Sequence, residues 1–220
     1  MSKVVVFGIG PIAEVVDFYL KKDSEHEVAA FTVDGEYMKE SFFHGTPVLA
    51  FEDIRENFPP EKYKMFVPIG YKSMNKIREE KYLEAKKMGY SFIRYISSRA
   101  SYYGSQVGEN CFILENNVIQ PYSVIGNNTI LWSGNHLGHH SIIGKNCFVA
   151  SHVVISGNVR IGDNSFLGVN ATIRDNVKIG SYNLIGAGAV ILKDTADFDV
   201  FAAKGATQKI DRKSTELSHI

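Results

Sequence analysis

Four of the seven histidines crowd between positions 136 and 152: His136, His139, His140 and His152. Imidazole titrates near neutrality, so such a cluster offers two kinds of chemistry. Three converging rings can hold a metal, or one exposed ring can act as a general base. Histidines that only hydrogen-bond the backbone at a turn account for the others. Near the N-terminus, Gly8-Ile9-Gly10-Pro11 has the form of a turn that holds a phosphate on free backbone N–H groups, and Asp34 is placed to accept from a ribose or a base. The third glycine of the full dinucleotide pattern is replaced by Ala13, so a complete NAD site is not expected. Gly70-Tyr71-Lys72, with Asn75 and Arg78 nearby, is a second candidate for a nucleotide.

What must position these residues is legible in a repeat. From Val107 to Ile191 every sixth residue is Val, Ile or Leu without a gap, through Ile125, Ile143, Ile161 and Ile179. Two residues before most of them stands a small or β-branched side chain, among them Ser105, Cys111, Ser123, Thr129, Ser141 and Cys147. This is the hexapeptide pattern of a left-handed parallel β-helix, in which three hexads make one triangular coil and aliphatics fill the axis. An eighteen-residue order confirms it: Val107, Ile125, Ile143, Ile161 and Ile179 are each followed by glycine, and Asn110, Asn128, Asn146 and Asn164 come two residues later. Gly and Asn tolerate the tight turns that a corner needs.

The register sorts the chemistry. Residues eighteen apart stack on adjacent coils, so His139 faces Gly157 and His152 faces Gly134. No two histidines share a column, which argues against a metal site and for a single base. Cys111 and Cys147 share a column two coils apart, roughly 10 Å at ~4.8 Å per coil, beyond the ~7 Å limit for a disulfide. Both are expected reduced and in the core.

The first hundred residues read differently. Lys3–Phe7, Glu27–Val33, Met65–Ile69 and Ser91–Ile96 are expected strands, with helices from Pro11 to about Leu20 and from Ser73 to Met88. Strands alternating with helices imply a small parallel α/β sheet. The expected organisation is an α/β nucleotide-binding domain over 1–100, a β-helix over 101–195 and a C-terminal extension over 196–220.

Lys+Arg and Asp+Glu both number 24, giving a formal net charge of zero, which removes the footprint of a nucleic-acid or anionic-membrane binder. No apolar run approaches the ~20 residues that span a bilayer. The N-terminal MSKVVVFGIGPIAEVV lacks a signal-peptide layout, so a cytoplasmic location is expected. Between 107 and 191 the only charged side chains are Lys145, Arg160, Arg174, Lys178, Glu109, Glu115, Asp163 and Asp175. Such bare faces suit packing against other subunits and against a long ligand.

A short α/β domain opening V-V-V-F-G-I-G, then uninterrupted hexapeptides with a histidine before an I-G corner, resembles the bacterial sugar acetyltransferases of the NeuD/PglD type over residues 3–204. The resemblance implies acetyl-CoA-dependent N-acetylation of a nucleotide-linked amino sugar, by direct transfer in a homotrimer with sites between subunits. Within it His139 is the base, in His139-His140-Ser141-Ile142-Ile143-Gly144, and the Gly157 N–H is the oxyanion donor. His140 stands where the family has Glu or Asp to orient the imidazole, which leaves Asn135 or His136 as substitutes. Acetyl-CoA is expected beside Gly168, Gly186 and Ala187, with Lys204, Lys209, Arg212 and Lys213 toward its phosphates. Gly8, Gly10, Asp34, Tyr71 and Lys72 are the candidates for the sugar nucleotide. The alternatives are O-acetylation of a sialic-acid-type sugar, a metal-dependent hydratase, and a non-catalytic β-helix scaffold. No metal is expected.

Overall fold

In the computed structural model, which describes residues 1–203, the chain begins with a five-stranded sheet in the order β3-β4-β2-β1-β5. Its members are β1 (Lys3–Phe7), β2 (Glu27–Val33), β3 (Phe42–Phe43), β4 (Thr46–Ala50) and β5 (Lys64–Phe66). All neighbours run parallel except the β3–β4 hairpin. β1 lies centrally and is covered on both faces, so Val4, Val5 and Val6 are all fully buried. Helix α1 (Pro11–Asp23) covers one face through Ala13, Val16 and Leu20, and α3 (Lys76–Lys87) covers the other through Tyr82 and Ala85. A single turn, α2 (Ile54–Asn57), lies between.

Three expectations are corrected here. The strand expected over Met65–Ile69 is Lys64–Phe66, because Pro68 has no N–H to offer a ladder. The helix expected from Ser73 starts at Lys76, because Ser73, Met74 and Asn75 all take left-handed backbone. The strand expected over Ser91–Ile96 is not part of this sheet. Phe92 makes only a bridge to Met65, while Tyr95–Ile96 pairs with Phe112–Ile113 and opens the second half of the molecule. Asp23 fixes that junction, accepting from the Tyr95 hydroxyl, the Ser97 hydroxyl and the Ser98 N–H. Those donors outweigh the cost of burial and pull the Asp23 carboxyl down to about 2.

The second half is a left-handed parallel β-helix of three sheets, with seven, six and five strands. Each strand is two residues long and pairs in parallel with the strands one coil away, as His136–Leu137 does with Val118–Ile119 and Val154–Ile155. Every aliphatic of the six-residue series lies on the axis and is no more than 4% exposed. The third residue of the turn between strands is left-handed, with φ of 53° at Asn110, 59° at Asn128, 59° at His140 and 59° at His152. The asparagine enrichment is therefore a backbone requirement recurring every hexad, since Asn enters this region at low cost. Polar side chains inside the coils cap carbonyls across the turn, as the Ser141 hydroxyl does to the Ser156 oxygen at 2.8 Å. Cys111 and Cys147 are buried free thiols in such positions, and burial pushes them up to about 11 and about 12.

The halves share one core. The seven-stranded face presents Phe112, Leu114, Ile130, Phe148 and Ala150 to α1 and the sheet above it. At one corner of this face Asn110, Asn128, Asn146 and Asn164 form a buried ladder of side-chain amides. Arg78 of α3 lies fully buried against that corner. It donates to the oxygens of Ile69, Gly70, Asn128, Asn146 and Cys147. Its neighbour Glu79 accepts from the amides of Asn146 and Asn164. Burial lowers Arg78 to about 10, so it is still charged at neutral pH. Among the described residues no helix is long and apolar enough to cross a membrane.

Removing the Arg78 fork strands buried carbonyls, so Arg78→Ala should cost about 3 kcal/mol or more in urea unfolding, with Arg78→Lys recovering only part. Both thiols should resist a thiol reagent at pH 8 in the native protein and react at once when it is unfolded.

Candidate active site

The residues between His136–Leu137 and Ile142–Ile143 turn the chain from the six-stranded to the five-stranded face. His139 and His140 are both exposed at this corner. The His139 N–H donates to Gln120 Oε1 on the coil below at 2.9 Å. Its ring lies over Gly157 on the coil above, where a Cβ would come within 2.8 Å of both Cε1 and Nε2. A side chain at 157 would therefore displace the His139 ring from this place. Nδ1 of His139 lies 3.1 Å from Nδ1 of His140, with the rings nearly perpendicular at 84°. The far side of His140 packs on the Tyr122 ring, centroids 4.8 Å apart.

The register thus brings His139 and Gly157 together as expected. The Gly157 N–H, however, is not a free donor: it is bonded to Asp175 Oδ1 at 2.8 Å. A carboxylate thus fills the place that the expected oxyanion would take. Asp175 was not singled out from the sequence, although the signal exists. Carboxylate or amide side chains one coil above a corner cap its N–H elsewhere, as Asp163 does for Lys145 and Asn127 for Glu109. Tyr122 is legible only as the eighteen-residue neighbour of His140, and Gln120 as that of Gly138, the residue before His139.

The other histidines separate. His136 points outward from the six-stranded face, half-buried between Val118 and Val154. His152 occupies a left-handed turn at a different corner, with its ring over Gly134. Asn135, expected to touch substrate or His139, is instead inside the coil at 2% exposure. Its amide donates to the Trp132 oxygen at 2.6 Å and its oxygen accepts from the Val153 N–H at 2.8 Å, so both polar atoms are committed to the backbone. Among the described residues no group of three or more His, Cys, Asp or Glu is placed to hold a metal ion.

Gly168, Gly186 and Ala187 lie at the corner shared by the seven-stranded and six-stranded faces, the full width of the latter away from His139. A Cβ at Gly168 would sit 2.6 Å from the Ala187 nitrogen, so coil stacking alone demands glycine there. Ala187 is exposed. Side-chain size falls along the column Trp132, Ala150, Gly168, Gly186. Lys204, Lys209, Arg212 and Lys213 fall outside the described residues.

In the α/β half, Gly8 and Gly10 line a cavity of about 220 Å³ with Pro11, Ile12, Pro68 and Gly70. Gly8 has a φ of 112°, and α1 starts at Gly10 without a side-chain cap. Tyr71 packs its ring against Phe148 and Phe166 of the β-helix, while Lys72 is exposed. Asp34 is not in this cavity. It accepts from Lys81 Nζ at 2.7 Å and lines a different cavity, of about 540 Å³, with Phe51 and Glu52. The structure therefore does not bring Asp34 and the two glycines into one pocket.

Residues 122–157 and 158–193 match the bacterial transferase hexapeptide family, described as six repeats. No curated protein matches the chain at the level of sequence. Among solved structures, it is similar to a histidine-to-asparagine variant of perosamine N-acetyltransferase from Caulobacter crescentus in complex with CoA and GDP-perosamine. That likeness has a TM-score of 0.81 and 26% identity over 96% of this chain and 98% of the other. PerB from the same organism, also with CoA and GDP-perosamine, gives 0.80 and 26% over 91% and 93%. The acetyltransferase domain of PglB from Neisseria gonorrhoeae FA1090, with acetyl coenzyme A, shares the fold at 0.64 and 23% over 93% and 98%. The resemblance to sugar acetyltransferases of the NeuD/PglD type thus extends through both halves of the chain.

Substituting Asp175→Ala should free the Gly157 amide, seen as faster hydrogen exchange at that residue with the β-helix otherwise protected.

Proposed function

We propose that this hexapeptide acyltransferase moves an acetyl group from acetyl-CoA to the amine of a nucleotide-linked amino sugar, with His139 as general base. The observation that carries the reading is the His139 ring packed over Gly157, its Nε2 edge against the backbone of the next coil. The similarity to an enzyme that holds both CoA and GDP-perosamine, covering the α/β half as well as the β-helix, supports the substrate class.

In this reading the amine nitrogen attacks the thioester carbonyl, and His139 Nε2 takes its proton. The carbon–sulfur bond then breaks and the proton passes from His139 to the departing CoA thiolate. The negative oxygen of the tetrahedral intermediate needs a donor, worth ~3 kcal/mol in other acyl transfers. Gly157 serves only if the incoming acyl oxygen takes the place of Asp175. Cys111 and Cys147 are buried, their thiols held protonated, which favours direct transfer over an acyl-enzyme.

The sugar nucleotide is assigned to the Gly8–Gly10 turn, where a pyrophosphate would meet the uncapped start of α1. Tyr71 ties the neighbouring loop to the aromatic face of the β-helix and faces the same side. A ribose would reach Asp34 only in exchange for Lys81. The base and the CoA candidates stand at different corners of one chain. A site built from both takes His139 from one protomer and Gly168, Gly186 and Ala187 from the next, which is the reason to assign a homotrimer.

With acetyl-CoA and a panel of UDP-, dTDP- and GDP-linked amino sugars, purified protein should release free thiol with at least one of them. Silence with every amino sugar, alongside turnover of a sugar hydroxyl, would replace the N-acetyl reading with the O-acetyl one. His139→Ala and His139→Asn should each lose ~10²–10⁴-fold in turnover while still binding CoA. Near-normal rates would move the base to His136 or His152. Chains carrying His139→Ala and Ala187→Trp, each inactive alone, should regain activity when assembled together, because one mixed interface keeps both intact residues. No recovery would place the whole site within one protomer.

A further inference from the structure

His140 stands at a position where the backbone asks for a left-handed residue, and most of the equivalent corners use asparagine. The turn therefore explains why a residue tolerant of φ 59° is present, but not why it is an imidazole. What the imidazole adds is the contact between its Nδ1 and that of His139, at 3.1 Å. Tyr122 backs the ring from the coil below, at an interplanar angle of 32°, and holds it in that plane.

We propose that His140 is a positioning residue, whose Nδ1 accepts the hydrogen bond from His139 Nδ1–H and so leaves His139 Nε2 unprotonated against Gly157. Two neutral imidazoles carry one ring proton each, so only one of the two facing Nδ1 atoms is a donor. If His139 donates, its lone pair lies on Nε2, on the side of the next coil. If His140 donates, His139 keeps its proton on Nε2 and cannot take another there. The first arrangement is the one a base needs, and in this respect the inference rests on the reading of His139 as the base.

A pH consequence follows from the same proton count. Protonating His140 makes its Nδ1 a donor, which turns the contact around and moves the His139 proton to Nε2. The base is then lost by protonation of either ring. The titratable groups facing the pair are Tyr122 on the coil below and Asp175, across Gly157, on the coil above; Gln120 and Asn158 are their neutral neighbours. Activity should fall on the acid side with a slope of one proton, because the first proton taken up by the pair already removes the base.

The test uses the full chain with ¹⁵N-labelled histidine and long-range ¹H–¹⁵N correlations at pH 8. His139 should be the Nδ1–H tautomer in the wild type. It should shift toward Nε2–H in His140→Gly, which keeps the left-handed turn, and return to Nδ1–H in His140→Asp, which supplies a carboxylate acceptor. In turnover, His140→Gly should lose about tenfold to a hundredfold in kcat, a part of the ~10²–10⁴ that a general base supplies, with KM for acetyl-CoA unchanged. His140→Asp should recover kcat, with the acid limb displaced to higher pH, because a neighbouring negative charge favours the imidazolium. A wild-type His139 protonated on Nε2, or a His140→Gly variant with wild-type tautomer and pH profile, overturns the proposal. If the wild type acetylates no sugar, the proposed function fails while the tautomer measurement still decides this point.

Discussion

Parallel coils stacked in register place residues of the β-helix, between its first and last coils, directly against those eighteen positions away, as Val118, His136 and Val154 show. Nearly everything else in this half of the molecule obeys that constraint. The axis is filled because aliphatics recur every six residues, and fully burying each is worth ~1.5–3 kcal/mol. The turns close because asparagine, glycine, histidine or tyrosine takes the left-handed position. The candidate site exists because a histidine ring at 139 meets a glycine at 157, where any side chain would strike it. One misplaced residue in a coil would move every later side chain to a new face.

The α/β half depends on this stack as well as adding to it. Its lower core is completed by Phe112, Ile130 and Phe148, which the β-helix presents outward. Arg78 spends all its hydrogen bonds on carbonyls of two coils and of the Ile69–Gly70 loop. That loop carries Gly70 and Tyr71 beside the Gly8–Gly10 turn. A buried guanidinium thus sets where the phosphate-binding candidates stand relative to the coils. The same corner leaves α3 fixed to the asparagine ladder through Asn75 and Glu79.

Much of this could be read from the chain. The hexad period gave the β-helix, its core and the His139–Gly157 neighbours, because the repeat converts sequence distance into spatial distance. The same arithmetic was available for Asp175, one coil above Gly157, but a capping carboxylate looks like any other surface acid until its acceptor geometry is known. Asn135 was misjudged because a coil interior accepts an amide when both its atoms find backbone partners. In the α/β half no repeat exists, so spacing along the chain does not name strand partners. Tyr95–Ile96 joined the β-helix rather than the sheet because Phe112 and Asp23 together offered it more.

By itself, then, the sequence determined the coil architecture, the buried and unpaired places of the two cysteines, and the pairing of His139 with Gly157. These follow from periodicity and from the steric preferences of single residues, both of which are local. Only the tertiary structure decided that Asp175 occupies the Gly157 N–H, that Lys81 occupies Asp34, that His140 touches His139 through Nδ1, and that the base and the small-residue edge lie at different corners. Those outcomes depend on side-chain direction and on competition among hydrogen-bond partners from distant segments. Neither is encoded in spacing along the chain.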